Sequence, residues 1–121
     1  MDTLLDTLFQ LTQQIRYIAV YSAGQLVMRQ RPDLHHASAS DSDRYEELLV
    51  NPTLLTLTRQ RGEIDCGGLA YLIIRYGFFF QLVMPLKEGH ISIAFEPQAN
   101  PVSYVEQVMY ILHDHALLAG V

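Results

Sequence analysis

Cysteine, histidine and paired carboxylates are the side chains that could do chemistry in this sequence, and their spacing decides how far each one goes. Cys66 is the lone cysteine, so neither an intrachain disulfide nor a multi-cysteine metal site can form, in keeping with a reducing compartment. Asp65 beside it disfavours the thiolate that a nucleophile needs, and no histidine lies close in sequence, so Cys66 reads as a partly buried structural residue. His113 and His115 stand two apart on a helical segment, point about 200° apart around its axis and cannot chelate one ion together. His35 and His36 are adjacent in a loop with no third ligand at a defined spacing. Asp41 and Asp43 begin like a calcium loop, but its glycine and terminal glutamate are missing, which leaves helix capping. Gly67-Gly68 follows a helix instead of preceding one and lacks the lysine of a phosphate loop, so it reads as a chain reversal. The inventory assigns no catalytic residue, no metal and no cofactor, and the chain is expected not to be an enzyme.

Charge and aromatic content point to surfaces instead. Thirteen acids against eight bases give a net charge of −5, and the bases are scattered as Arg16, Arg44, Arg75 and Lys87 or in the loose pairs Arg29/Arg31 and Arg59/Arg61. A phosphate backbone needs a concentrated basic surface, so nucleic acid is excluded as a partner, and no polybasic segment is available for anionic lipid. The apolar stretches are strand-length, well short of the roughly 20 residues a membrane span requires. Acids at Asp2 and Asp6 occupy the place of a signal peptide's basic region, so the expected location is the cytoplasm. Arg59 and Arg61 with Glu46 and Glu47 could form a charged docking face; Glu46, Glu47 and Arg61 are the candidate partner surface, beside the simpler reading of solvated helix residues. Tyr71, Tyr76, Phe78, Phe79 and Phe80 could line a ligand pocket, although core packing accounts for most aromatics.

The elements that must position these groups follow from periodicity. Leu4, Leu5, Leu8, Leu11 and Ile15 recur at helical spacing and predict an amphipathic first helix. Residues 16–21 and 26–31 flank the turn Ser22-Ala23-Gly24-Gln25 as a hairpin. Pro32 to Ser42, with His35 and His36, reads as a mobile connection. Asp41 or Ser42 caps a second helix through Val50, and Asn51-Pro52 restarts it to about Arg61, bent or broken at that junction. Residues 69–76, 78–85 and 90–95 form a meander, the first two apolar at nearly every position and so covered on both faces. Asn100-Pro101 opens a last helix with Val105, Val108, Met109, Leu112 and Ala116 on one face, ending near Gly120. The result is one α+β domain over residues 1–121, in the order helix, two strands, helix, three strands, helix. Its five-stranded antiparallel sheet carries helices on both faces, because an open face would leave too much apolar surface wet.

That element order, the Ala23-Gly24 hairpin, and the run Tyr76-Gly77-Phe78-Phe79-Phe80-Gln81-Leu82-Val83-Met84-Pro85-Leu86-Lys87-Glu88-Gly89-His90-Ile91-Ser92-Ile93 resemble the roadblock/dynein light-chain superfamily. The topology covers nearly the whole chain, whereas the local motif is degenerate. Two features depart from the family pattern: the long, histidine-bearing loop from Pro32 to Ser42, and Pro52 inside what the family keeps as one helix. The resemblance implies a profilin-like sheet with the second helix on one face, the terminal helices on the other, and the third strand at an edge. It further implies a homodimer in which that edge pairs with its copy beside the second helices, through Leu69, Tyr71, Ile73 and Arg75 of the strand and Leu55, Thr58 and Arg59 of the helix. The sequence agrees on one point independently, since a proline-free edge with Arg75 as its one charge is an aggregation hazard unless paired. The implied function is a non-catalytic adaptor or regulator of a protein partner, with a small Ras-like GTPase as the family's expectation. The alternative is a small-ligand sensory domain of the same architecture, which requires an aromatic cavity near Tyr71 and Phe80.

Overall fold

A computed structural model describes residues 1–117 of the chain. Helix α1 (Asp2–Phe9) leads into the hairpin β1 (Ile15–Ser22) and β2 (Gln25–Gln30). A helix then runs as α2 (Ser40–Tyr45), a π-helical turn (Glu46–Val50) and α3 (Asn51–Asp65). The meander β3 (Leu72–Arg75), β4 (Phe80–Leu86) and β5 (Gly89–Phe95) follows, then a 3₁₀ turn (Pro101–Tyr104) and α4 (Val105–Asp114). The five strands form one antiparallel sheet in the order β2-β1-β5-β4-β3, which places β2 and β3 at its edges.

Strand alternation sorts the sheet into two chemically different faces. The rows Ile18–Ile93–Leu82–Ile73 and Val20–Ile91–Met84 share one face. They pack with Leu4, Leu5 and Leu8 of α1 and Val105, Val108 and Leu112 of α4 into the main apolar core. The rows Tyr17–Ala94–Gln81–Ile74 and Ala19–Ser92–Val83–Leu72 share the other. There the long helix lies over a sheet that buries Gln81, His90 and Ser92. Helices on both faces are therefore present as expected, but the meander is not apolar on both sides. Ile73 and Phe80 both pack toward the main core, because the turn between β3 and β4 brings Arg75 opposite Phe80.

Several boundaries move for identifiable reasons. The first helix stops at Phe9 instead of Ile15, and Ile15 is buried as the first residue of β1. Its side chain fits a helical count from Leu11 by coincidence of spacing. Residues 69–71 lie outside β3. Ala116 turns left-handed, with φ of 58°, beyond the end of α4 at Asp114; Gly120 lies outside the described residues.

The junction at Pro52, expected to be bent or broken, is a π turn in a run that stays helical. The backbone stays right-handed helical at Tyr45, Glu46, Val50 and Asn51. The Asn51 N–H donates to the Glu46 carbonyl five residues back, the mark of a π turn. A proline ring clashes with the carbonyl four residues before it and supplies no N–H. A widened turn just upstream accommodates both defects without ending the helix.

Candidate functional site

The π turn aims Glu47 and Asn51 at the sheet, and both side chains are fully buried. Small residues make the room: Ala19, Ala94 and Ser92 occupy the middle of the helix-facing side. The Glu47 carboxylate is surrounded by donors. Oε1 accepts from the Asn51 amide at 2.9 Å and the Ser92 hydroxyl at 2.6 Å, and lies 2.8 Å from His90 Nε2. Oε2 accepts from the Tyr17 hydroxyl at 2.9 Å and the Gln81 amide at 3.3 Å. Asn51 Nδ2 also reaches Ser92 Oγ at 2.8 Å. A buried carboxylate needs this many donors to replace the water it has lost. Burial, the charge of Glu47 and the hydrogen bond to it together drive the Tyr17 hydroxyl far above the ordinary tyrosine range.

Beside this network lies a cavity of about 430 Å³ between the start of the long helix, the loop of residues 32–39 and the sheet. Tyr17, Tyr45, Tyr76 and Phe79 contribute aromatic walls, and Asp43, Glu46 and Glu47 contribute carboxylates. Burial raises the Glu46 carboxyl, opposed by a 2.8 Å hydrogen bond from the Tyr76 hydroxyl and reinforced by the charges of Glu47 and Asp43. Asp43 is raised by burial too, against a hydrogen bond from Ser38 and with the charge of Glu47 adding to it. Tyr76 is pushed up to about 12, first by burial and then by Glu46. Among the described residues, nothing donates a hydrogen bond to the second, buried Glu46 oxygen, Oε2.

Arg16 is the lining's one cation, and it is engaged elsewhere. It pairs with Glu96 at 2.8 Å, donates to the carbonyls of His35 and His36 at 2.8 and 3.2 Å, and lies over the Phe79 ring. Those contacts, with the His36 ring stacked on Phe78 at 4.0 Å, anchor the loop that was expected to be a free connection. His35 and His36 therefore contribute main-chain oxygens and a ring face. Among the described residues, no group of three or more His, Cys, Asp or Glu side chains is placed to hold a metal ion.

The structure redistributes the residues singled out from sequence. Glu47 is not on a partner surface: its side chain is the hub of the buried network, and Glu46 is half-buried in the cavity wall. Arg61 is exposed, paired with Asp65 at 2.6 Å one helical turn on. Leu55 is buried under the helix, while Thr58 is half-buried and Arg59 exposed. Tyr71 and Ile73 lean onto the main core, so the β3 side chains on the long-helix side are Leu72 and Ile74. Leu69 is half-buried and Arg75 exposed, with its guanidinium over the Phe80 ring. Cys66 is exposed, contrary to the expected partial burial. The cavity is likewise displaced: Tyr71 and Phe80 are core residues, and the open space lies around Tyr17, Tyr45, Tyr76 and Phe79. Sequence reading missed Tyr17, Asn51, Gln81, His90 and Ser92. The one available signal was polar residues at alternate positions in otherwise apolar strands.

A five-stranded antiparallel sheet of this order, with one helix on one face and the terminal helices on the other, defines a Roadblock/LC7-type α+β fold. The chain is similar to the crystal structure of a Roadblock/LC7 domain from Streptomyces avermitilis, with a TM-score of 0.73 and 13% sequence identity over 96% of this chain and 94% of that one. No family model matches the sequence, and no curated protein matches it.

Proposed function

We propose that this chain is a non-catalytic docking module that pairs with a second copy of itself and presents the resulting dimer to a protein partner in the cytoplasm. Two observations support it best: an edge strand at one side of the sheet and exposed apolar residues on the long helix. Among the described residues, strand β3 has no neighbour on its outer side, and it contains no proline. On α3, Leu57 and Ile64 sit seven residues apart on one helical face and are 61% and 76% exposed. Large apolar side chains in that pattern are the composition of a docking stripe. The likeness to a Roadblock/LC7 domain favours a protein-interaction role, and a small Ras-like GTPase is the partner we put forward.

Light scattering on the purified protein tests the pairing: a dimer is expected, and Leu57→Glu with Ile64→Glu should yield a folded monomer. Both substitutions point to solvent, so the helical circular dichroism should not change. A monomeric parent protein, or a double variant that remains dimeric, would remove the proposal. Ile73 is a poor probe because its side chain also supports the core. For the partner, co-purification with a small GTPase loaded with either nucleotide should succeed with the parent protein and fail with the double variant.

A further inference from the structure

We propose that the cavity beside Glu47 is a binding site for a small organic cation, an ammonium or guanidinium carried on an apolar or aromatic body. At about 430 Å³ it falls within the size range of small-molecule sites. Its walls combine tyrosine and phenylalanine rings with carboxylates, the pairing that recognises an organic cation through ring faces and charge at once. The sign of charge is unbalanced: Asp43, Glu46 and Glu47 face the space, and the one lining cation, Arg16, is committed to Glu96 and to two loop carbonyls.

The carboxylates differ in how completely they are satisfied. Glu47 already has protein partners at both carboxylate oxygens. Among the described residues, Glu46 holds a single donor, the Tyr76 hydroxyl, and its other oxygen is buried without one. Buried polar oxygens in folded proteins are nearly always paired, so an orphan at a cavity wall marks the place where a donor is missing. A cation there also relieves the mutual repulsion that, together with burial, keeps Asp43 and Glu46 raised. The occupant is a free small molecule, because the space is walled on three sides by the helix, the loop and the sheet. The site does not depend on the docking role proposed above.

Isothermal titration calorimetry on the full chain would use 2-phenylethylammonium as the cation, its uncharged counterpart 2-phenylethanol, and a short acetylated peptide amide carrying one arginine. Saturable binding of the ammonium is expected, with the alcohol and the peptide weaker. Glu46→Gln should weaken the ammonium at least about tenfold, the loss expected when a charge-assisted contact becomes neutral. Asp43→Asn, assayed in parallel, should weaken it in the same direction if Glu46→Gln does not fold. No saturable binding, equal binding of the amine and the alcohol, or unchanged affinity in both variants would overturn the proposal. Binding of the peptide in preference to the free amine would overturn the assignment to a small molecule.

Discussion

Glu47 decides more of this molecule's character than any other residue. A carboxylate removed from water costs several kcal/mol unless donors replace the solvent, and here Tyr17, Asn51, Gln81, His90 and Ser92 do so from one helix and three strands. Those donors become orphans if the acceptor goes. Glu47→Ala should therefore cost about 3–5 kcal/mol, the range for breaking a buried charged cluster from one side. Urea denaturation with an unchanged slope measures the loss; a loss below about 1 kcal/mol would mean that water fills the site at little cost. Beyond the polar residues set among apolar strand positions, little of this is legible in the sequence, because Glu46-Glu47 after a capping segment reads as a solvated helix start. One extra residue in the turn before Pro52 rotates that face inward, and no periodicity rule signals it.

Element types and their order were legible because hydrophobic period and turn chemistry agree there. Ala23 and Gly24, with φ of 52° and 81°, make the two-residue turn that the hairpin reading implied. The meander turn at Gly89 is more demanding than its sequence suggests. A Cβ built there lies 1.8 Å from the Tyr21 carbonyl oxygen and 2.7 Å from its carbon, all backbone atoms of the paired strand. No rotamer change relieves such a contact, so β1 and β5 must move apart. Gly89→Ala should destabilise the fold by about 1–3 kcal/mol, as overpacking typically does. Gly24→Ala is a useful contrast, since its Cβ meets nothing within 4 Å and carries only the strain of its positive φ. A Gly89→Ala urea midpoint equal to that of the parent protein would show that the two strands separate without penalty at that turn. The bend or break expected at Asn51-Pro52 takes the form of a π turn, because proline forbids an ordinary α turn but not every helical turn.

At the scale of the whole molecule, the sheet with helices on both faces was legible from apolar content, but the chemistry of the second face was not. Strand residues such as Gln81, His90 and Ser92 declare themselves only when the register lines them up under one helix. Two carboxyls beside that polar face, Asp43 and Glu46, contribute a dependence on pH opposite to the usual one, in which paired carboxylates lose stability in acid. Asp43 and Glu46 are both raised, chiefly by burial, with the Ser38 and Tyr76 hydrogen bonds and, for Glu46, the charge of His90 acting against the shift. A raised acid favours its protonated form in the folded state. Its contribution is therefore fully present below the unfolded carboxylate range, near pH 4, and is lost as pH rises through the folded value. Tyr17 and Tyr76 act in the same sense above about pH 10, where unfolded tyrosines ionise and the folded ones resist. Glu46→Gln keeps an acceptor for Tyr76 and removes the charge. The variant should match the parent protein in urea near pH 4 and exceed it at pH 7, so that the gap between their midpoints opens as pH rises. A gap that is constant across that range would show that Glu46 titrates alike in the folded and unfolded chains, and that its burial is relieved by solvent entering the cavity.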